Sequence, residues 1–197
     1  MSASRQRETK SSLIEWGISV KKTKVAFVAV LVVLLAGAAL SIRGKADDTA
    51  LPQAGQMAPN FTLPSQDGSD ISLNSFRGKW VVLYFYPKDM TTGCTIEAHK
   101  FQDALPQFEA KNAVILGVSV DSVDSHKQFC TKDSLTFHLL ADPDHKVVGA
   151  YGSLGGMPAM VMASRNTFLI DPQGKIAKVW VKVVPANAAS DVLAAIP

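Results

Sequence analysis

Two cysteines, Cys94 and Cys130, are the only thiols in 197 residues, and the first stands where chemistry is easiest to arrange. Ahead of it, Trp80 to Tyr86 is a charge-free run rich in Val, Tyr and Phe, which reads as a strand buried on both faces and ended by Pro87. Behind it, Ala98, Phe101, Leu105 and Phe108 recur at helical spacing. Cys94 therefore falls in or beside the first turn of a helix, where unpaired N–H groups and the positive dipole end favour an anionic sulfur, the nucleophilic form of cysteine. Thr91, three positions earlier, brings a hydroxyl, and Gly93 lets the backbone approach whatever reaches the sulfur. The same residues have a plainer reading, in which Thr91 or Thr92 caps the helix and Cys94 is a small buried hydrophobe.

Pro87, Thr91 and Cys94 reproduce in order and spacing a Pro-x-x-x-Thr-x-x-Cys pattern, set between Tyr84-Phe85-Tyr86-Pro87-Lys88-Asp89 and Gly93-Cys94-Thr95. That stretch resembles the peroxiredoxins, and its flanks resemble their bacterioferritin-comigratory (Bcp/PrxQ) branch. Arg165, in Ser164-Arg165-Asn166-Thr167-Phe168-Leu169-Ile170-Asp171, is similar to the family's second hallmark, an arginine that reaches the cysteine from the far side of the sheet. Without the resemblance it would be a surface arginine at the start of a strand. A planar, permanently charged fork can steady a thiolate and hydrogen-bond a peroxide oxygen together.

The resemblance implies a thiol-dependent peroxidase. Cys94 would attack hydrogen peroxide or an organic hydroperoxide, release water or an alcohol, and become a sulfenic acid, with Thr91, Arg165 and helix N–H groups holding the oxygens. The branch most often places its resolving thiol five residues on, where this chain has His99. Its other resolving position matches Cys130, 36 residues after Cys94 (130 − 94), so the resemblance implies an intramolecular Cys94–Cys130 disulfide recycled by thioredoxin or another dithiol reductant. Cys130 beside Phe129 can equally be core. Two cysteine Cα atoms must come within about 7 Å to bond, which helix starts in separate layers rarely do, so the first turn after Cys94 and the Cys130 helix are expected to unwind on oxidation. The branch also implies a monomer.

The elements that must position these residues follow from pattern. Phe61 to Leu63 and Ile71 to Leu73 flank the turn Gln66-Asp67-Gly68 as a small hairpin. The Cys94 helix, which Pro106 is expected to kink or split, leads to a buried strand over Ala113 to Val120, making a parallel βαβ unit. A second helix over Ser122 to Asp133 places Val123, His126, Phe129 and Cys130 on one side; a short strand over Leu135 to Leu140 and a short helix before Tyr151 follow. Thr167 to Ile170 and Ile176 to Val181 flank Asp171-Pro172-Gln173-Gly174, an antiparallel turn signal, and an Ala-rich helix closes the chain over 186 to 196. Pattern alone gives α/β with a mixed sheet. The resemblance narrows it to a thioredoxin-like fold of the peroxiredoxin type, a central mixed β-sheet flanked by helices, and the apolar run near the N-terminus puts one transmembrane or signal helix before it. Tyr151 to Ala163, with its three methionines, reads as a loop. Tyr84 and Tyr86 read first as packing residues, and His99, His126, His138 and His145 show no metal-ligand spacing, so neither metal nor cofactor is expected.

The net charge of +3 conceals two halves. Residues 1–45 hold eight Lys or Arg against Glu8 and Glu15, a net of +6, leaving −3 for the remainder, which has no basic run to meet nucleic acid. Val25 to Ile42 is an uncharged apolar run of 18 residues, close to the ~20 that span a bilayer. Lys21, Lys22 and Lys24 precede it and Arg43 and Lys45 follow, so the N-terminus is expected in the cytoplasm and the domain across the membrane. The expected organisation is a basic segment 1–24, a transmembrane anchor or signal sequence 25–42, a linker 43–52 and a catalytic domain 53–197, with Ala46 to Pro59, which has Pro52, Gly55 and Pro59 and no apolar periodicity, reading as a tether that runs into the start of the domain. That places the domain on the periplasmic face of a bacterial inner membrane, or free in the periplasm if the small residues Ala36 to Ala39 mark a cleavage site. Two other functions fit an anchored domain of this kind. A thioredoxin-like disulfide reductase needs Cys-x-x-Cys, but Glu97 stands in the second position; a non-catalytic binding module would use the Met-rich loop as its apolar surface.

Overall fold

A computed structural model describes residues 50–157 and 159–197. The expectations for 1–24, for the apolar run 25–42 and for most of the linker lie outside these residues. Among the described residues no helix is long and apolar enough to cross a membrane.

A five-stranded mixed sheet carries the domain, in the order β5-β4-β3-β8-β9. Its centre is β3 (Trp80–Phe85), paired in parallel with β4 (Ala113–Ser119), which pairs in parallel with β5 (His138–Ala141). On the other side β3 meets β8 (Thr167–Ile170) antiparallel, and β8 meets β9 (Ile176–Trp180) likewise. Between β3 and β4 runs α1 (Thr92–Ala110), and between β4 and β5 runs α2 (Val123–Asp133). These are the parallel crossover units that the alternation of buried runs and helical spacing demands. Tyr84 and Tyr86 are core residues, as their alternation suggests: the Tyr84 ring stacks on Phe101 of α1 at 4.7 Å and on Tyr86 at 5.5 Å. Gly117 in β4 makes that possible, because a Cβ there would meet the Tyr84 ring and Leu139 at 2.7 Å.

Side chains alternate between two cores. Val82, Tyr84, Tyr86, Ile115 and Leu139 face α1, α2 and the closing helix α4 (Ala188–Leu193). Val81, Leu83, Phe85, Leu116 and Val118 face the short α3 (Lys146–Ala150), Tyr151 and the hairpin of β1 (Thr62–Pro64) and β2 (Asp70–Ser72). Cys94 and Cys130 belong to the same core, the first. The expectation that they lie in separate layers is thus corrected: α1 and α2 cover one face of the sheet.

Three further readings change. Pro106 does not split α1, which runs unbroken from Thr92 to Ala110; Phe101 and Phe108, both fully buried, pin the helix on either side of the missing N–H. Burying a side chain of that size stabilises by roughly 1.5–3 kcal/mol, enough to override one lost hydrogen bond. Gln53 to Pro59 is not free tether. Gly55 N–H donates to Ile176 O, Ile176 N–H to Gln56 O, and Ala58 N–H to Gly174 O, so this segment lies along the start of β9, and packing against the second core begins at Leu51. Finally, the stretch read as a loop is a two-stranded ribbon, β6 (Leu154–Met157) against β7 (Met160–Ala163), which leaves Met157 and Met160 exposed.

Candidate active site

The polypeptide leaves β3 at Tyr86, turns through Pro87 to Met90, and enters α1 with Thr91 at the N-cap position. Cys94 lies in the first helical turn, 2% exposed, among N–H groups that have no partner within the helix. Arg165 stands just before β8. Because β8 is the immediate antiparallel neighbour of β3, and Phe85 N–H donates to Asn166 O at 2.8 Å, the arginine arrives from the adjacent strand rather than from across the sheet. Its backbone is fixed by Val183 N–H, which donates to Arg165 O at 2.9 Å. Asn166, buried, donates to the Ser153 hydroxyl at 3.0 Å and accepts from Lys182 N–H at 3.3 Å.

The Arg165 fork divides its contacts. Nη2 donates to Cys94 Sγ at 3.4 Å, and Nη1 donates to Glu97 Oε2. The sulfur thus has a permanently charged donor directed at it. Gly93 gives the guanidinium room: a Cβ there would come within 3.3 Å of Nη2 and 3.8 Å of Pro185. Thr91 does not cap the helix with its side chain. Its hydroxyl donates to Lys88 O at 3.0 Å, so toward a substrate it is left as an acceptor. Pro87, half-buried, shapes the turn and touches none of these polar groups by hydrogen bond. The structure thus brings together Cys94, Arg165 and, on the same turn, Thr91.

Glu97 is the site residue that sequence reasoning passed over, having been weighed only as the missing second cysteine. It is fully buried, one helical turn beyond Cys94 on the same face, and its Oε1 has no partner. Burial pushes its carboxyl up to about 7 against the opposing pull of Arg165. Burial also works against the Arg165 charge, but Glu97 and the contact with Cys94 outweigh it and hold the guanidinium protonated. Since Glu97 ionises as pH rises through about 7, the clamp on Arg165 tightens in that direction. Peroxide reduction by the wild type is therefore expected to gain an inflection near pH 7 that Glu97→Gln lacks. The variant, keeping one acceptor but no charge, should lose roughly three- to tenfold in rate at pH 8. Superimposable pH–rate profiles would remove Glu97 from the site.

Cys130, in α2, is a free thiol like Cys94, and 9% exposed beside the Gln66–Asp67 turn. Burial, with a contribution from Asp89, pushes its thiol up to about 11, so in the folded reduced protein it is a protonated partner. Of the histidines, His126 is a buried core residue bonded to Asp89, and His99 meets Asp133 at 3.1 Å. Among the described residues no three His, Cys, Asp or Glu side chains gather as a metal site.

Comparison with known proteins gives the family. Residues 54–179 match the AhpC/TSA family. The chain is 43% identical to peroxiredoxin Bcp of Bacillus subtilis over 136 residues, covering 66% of this chain and 86% of that one. It is 39% identical to peroxiredoxin Bcp of Escherichia coli K12 over 132 residues, covering 65% and 85%. Among solved structures it is similar to peroxidoxin BcpB of Mycobacterium tuberculosis, with a TM-score of 0.70, 31% identity, and coverage of 74% of this chain and 96% of that one. Xanthomonas campestris peroxiredoxin Q gives a TM-score of 0.66 at 38% identity, covering 76% and 96%. A thiol held at a helix start by an arginine from the next strand, on this sheet and with these relatives, makes the chain a member of the AhpC/TSA family, an oxidoreductase of its Bcp/PrxQ peroxiredoxins.

Proposed function

We propose that Cys94 is the peroxidatic cysteine of a thiol peroxidase acting on hydrogen peroxide and organic hydroperoxides. The observation that carries this is the Arg165 Nη2 to Cys94 Sγ contact of 3.4 Å at the start of α1. The thiolate attacks the terminal peroxide oxygen; the S–O bond forms as the O–O bond breaks, and the leaving oxygen takes a proton to depart as water or alcohol. Arg165 and the free N–H groups of the first helical turn meet the charge that moves onto the leaving oxygen. The Thr91 hydroxyl accepts from the peroxide O–H, its own hydrogen being engaged by Lys88 O. Pro87 opens the turn that brings Thr91 to the N-cap position of α1, three residues before Cys94. A structure of the Xanthomonas campestris relative is described in terms of its alkyl peroxide reduction activity, which supports organic hydroperoxides as substrates.

Cys130 resolves the Cys94 sulfenic acid: its sulfur displaces the hydroxyl, giving an intramolecular disulfide and water, and thioredoxin or another dithiol returns both thiols. Support comes from the shared core layer of the two cysteines and from the Xanthomonas campestris peroxiredoxin Q structures, which include Cys→Ser variants at two positions 36 residues apart, the separation found here. Treatment with one equivalent of peroxide should yield a protein lighter by two hydrogens. Cys130→Ser should instead stop at the sulfenic acid and lose most thiol-dependent turnover; a variant that turns over at the wild-type rate would make this a one-cysteine enzyme.

The apolar run 25–42 anchors the chain with its basic N-terminus in the cytoplasm and the catalytic domain, a monomer, on the periplasmic face of a bacterial inner membrane, or releases it to the periplasm on cleavage. There the reductant is a dithiol carrier of that compartment. Fractionation with a topology reporter tests this, and a signal from the cytoplasmic side would sink it.

A further inference from the structure

One buried carboxylate joins the Cys94 turn to the Cys130 helix. Asp89, 4% exposed and five residues before Cys94, accepts three hydrogen bonds: from the Tyr86 hydroxyl at 2.7 Å, from the Ser125 hydroxyl at 2.7 Å, and from His126 Nδ1 at 2.8 Å. Ser125 and His126 open α2, and Cys130 lies one helical turn beyond His126 on the same buried face. The Asp89 N–H is taken as well, donating to Asp121 Oδ2 at 2.8 Å just before that helix. Next in the chain, Met90 is forced to φ +58°, a left-handed conformation that a side chain of its kind holds only when its surroundings impose it. Burial works against the Asp89 charge, but His126 and the two hydroxyls more than offset it, so Asp89 stays ionised and its bonds are of the strong, charge-assisted kind.

We propose that Asp89, held by Tyr86, Ser125 and His126, is the latch that keeps the Cys130 helix docked on the Cys94 turn in the reduced enzyme, and that its release sets the rate of disulfide formation. This rests on the Cys94–Cys130 pairing proposed above. Asp89 and Ser125 touch neither sulfur by hydrogen bond and act by position. Both thiols are free with the helices as they stand, so on this proposal the start of α2 or the Cys94 turn shifts when the disulfide forms, the Asp89 bonds break and Met90 leaves its strained backbone. A tight latch prolongs the sulfenic acid and exposes it to a second peroxide, which would carry it to the sulfinic acid.

Rapid-quench alkylation and mass analysis follow sulfenic acid, disulfide and sulfinic acid in the full chain and in Asp89→Asn and Ser125→Ala. The serine, only partly buried, gives a variant that disturbs the fold least. Loss of one charge-assisted bond should speed disulfide formation roughly tenfold, with sulfinic acid at excess peroxide falling in proportion. The rate of Cys94 oxidation, read in a Cys130→Ser background, should not move. Val148→Ala, which opens the opposite core, serves as a control for general destabilisation. Disulfide formation at the wild-type rate or slower in both Asp89 and Ser125 variants overturns the latch, as does equal acceleration by Val148→Ala. A wild type that forms no disulfide overturns the pairing itself and the latch with it, so the two failures are told apart.

Discussion

Cys94→Ser is expected to abolish peroxide consumption, lowering the rate by on the order of 10⁴-fold or more, the scale seen when a covalent nucleophile is removed outright. The serine hydroxyl fits the space left by the sulfur and can still accept from Arg165 Nη2, so the fold and the charge arrangement around position 94 should persist. What is lost is a sulfur, more nucleophilic than the hydroxyl oxygen that replaces it, that can take an oxygen onto itself. The measurement is consumption of hydrogen peroxide and of an alkyl hydroperoxide with dithiothreitol as the electron source, which avoids any choice of natural reductant. A variant that keeps more than about a hundredth of the wild-type rate, given that substituting a nucleophile leaves far less, would move the chemistry to Cys130 or elsewhere. A Cys-x-x-Cys disulfide reductase is argued against by the same turn, since the second position that such chemistry needs is Glu97, which is bonded to Arg165.

Much of this site could be read from the sequence because its signals are local. The β3 run, the turn at Pro87 and the helical spacing after Ala98 fall within one stretch of chain, and together they put Cys94 in a first helical turn without any tertiary knowledge. Arg165 needed a motif, since its approach to the sulfur depends on β8 pairing with β3 across more than 80 residues of chain. Glu97 and Asp89 were missed for a related reason. A charged residue in a helix or a turn looks solvated until tertiary packing buries it, and the partner that Glu97 meets is an arginine 68 positions away. The ribbon of β6 and β7 gave no alternation because both its strands are largely exposed, so nothing in the pattern of apolar residues marked a buried face. The Gln53 to Pro59 segment failed differently: it is held by backbone hydrogen bonds to the Gly174–Ile176 turn, which leave no trace in side-chain type.

Arg165→Lys separates the two tasks assigned to the fork. An ammonium is a compact point charge and cannot donate in two fixed directions at once. Glu97, buried with one oxygen already lacking a partner, should draw the lysine to itself and leave the sulfur and the peroxide without their donor. Removal of one such donor costs about 10²- to 10³-fold in rate elsewhere, and the same loss is expected here in the second-order reaction of Cys94 with peroxide, followed by stopped flow. Alkylation of Cys94 at the same pH involves no O–O bond, so it needs the sulfur activated but no leaving oxygen stabilised. It should fall less than about tenfold, the part of the arginine's effect that a single screened charge contact can supply. Equal losses in both reactions would confine Arg165 to the sulfur and pass the leaving oxygen to the helix N–H groups alone. No loss in either would show that the 3.4 Å contact is packing and not chemistry.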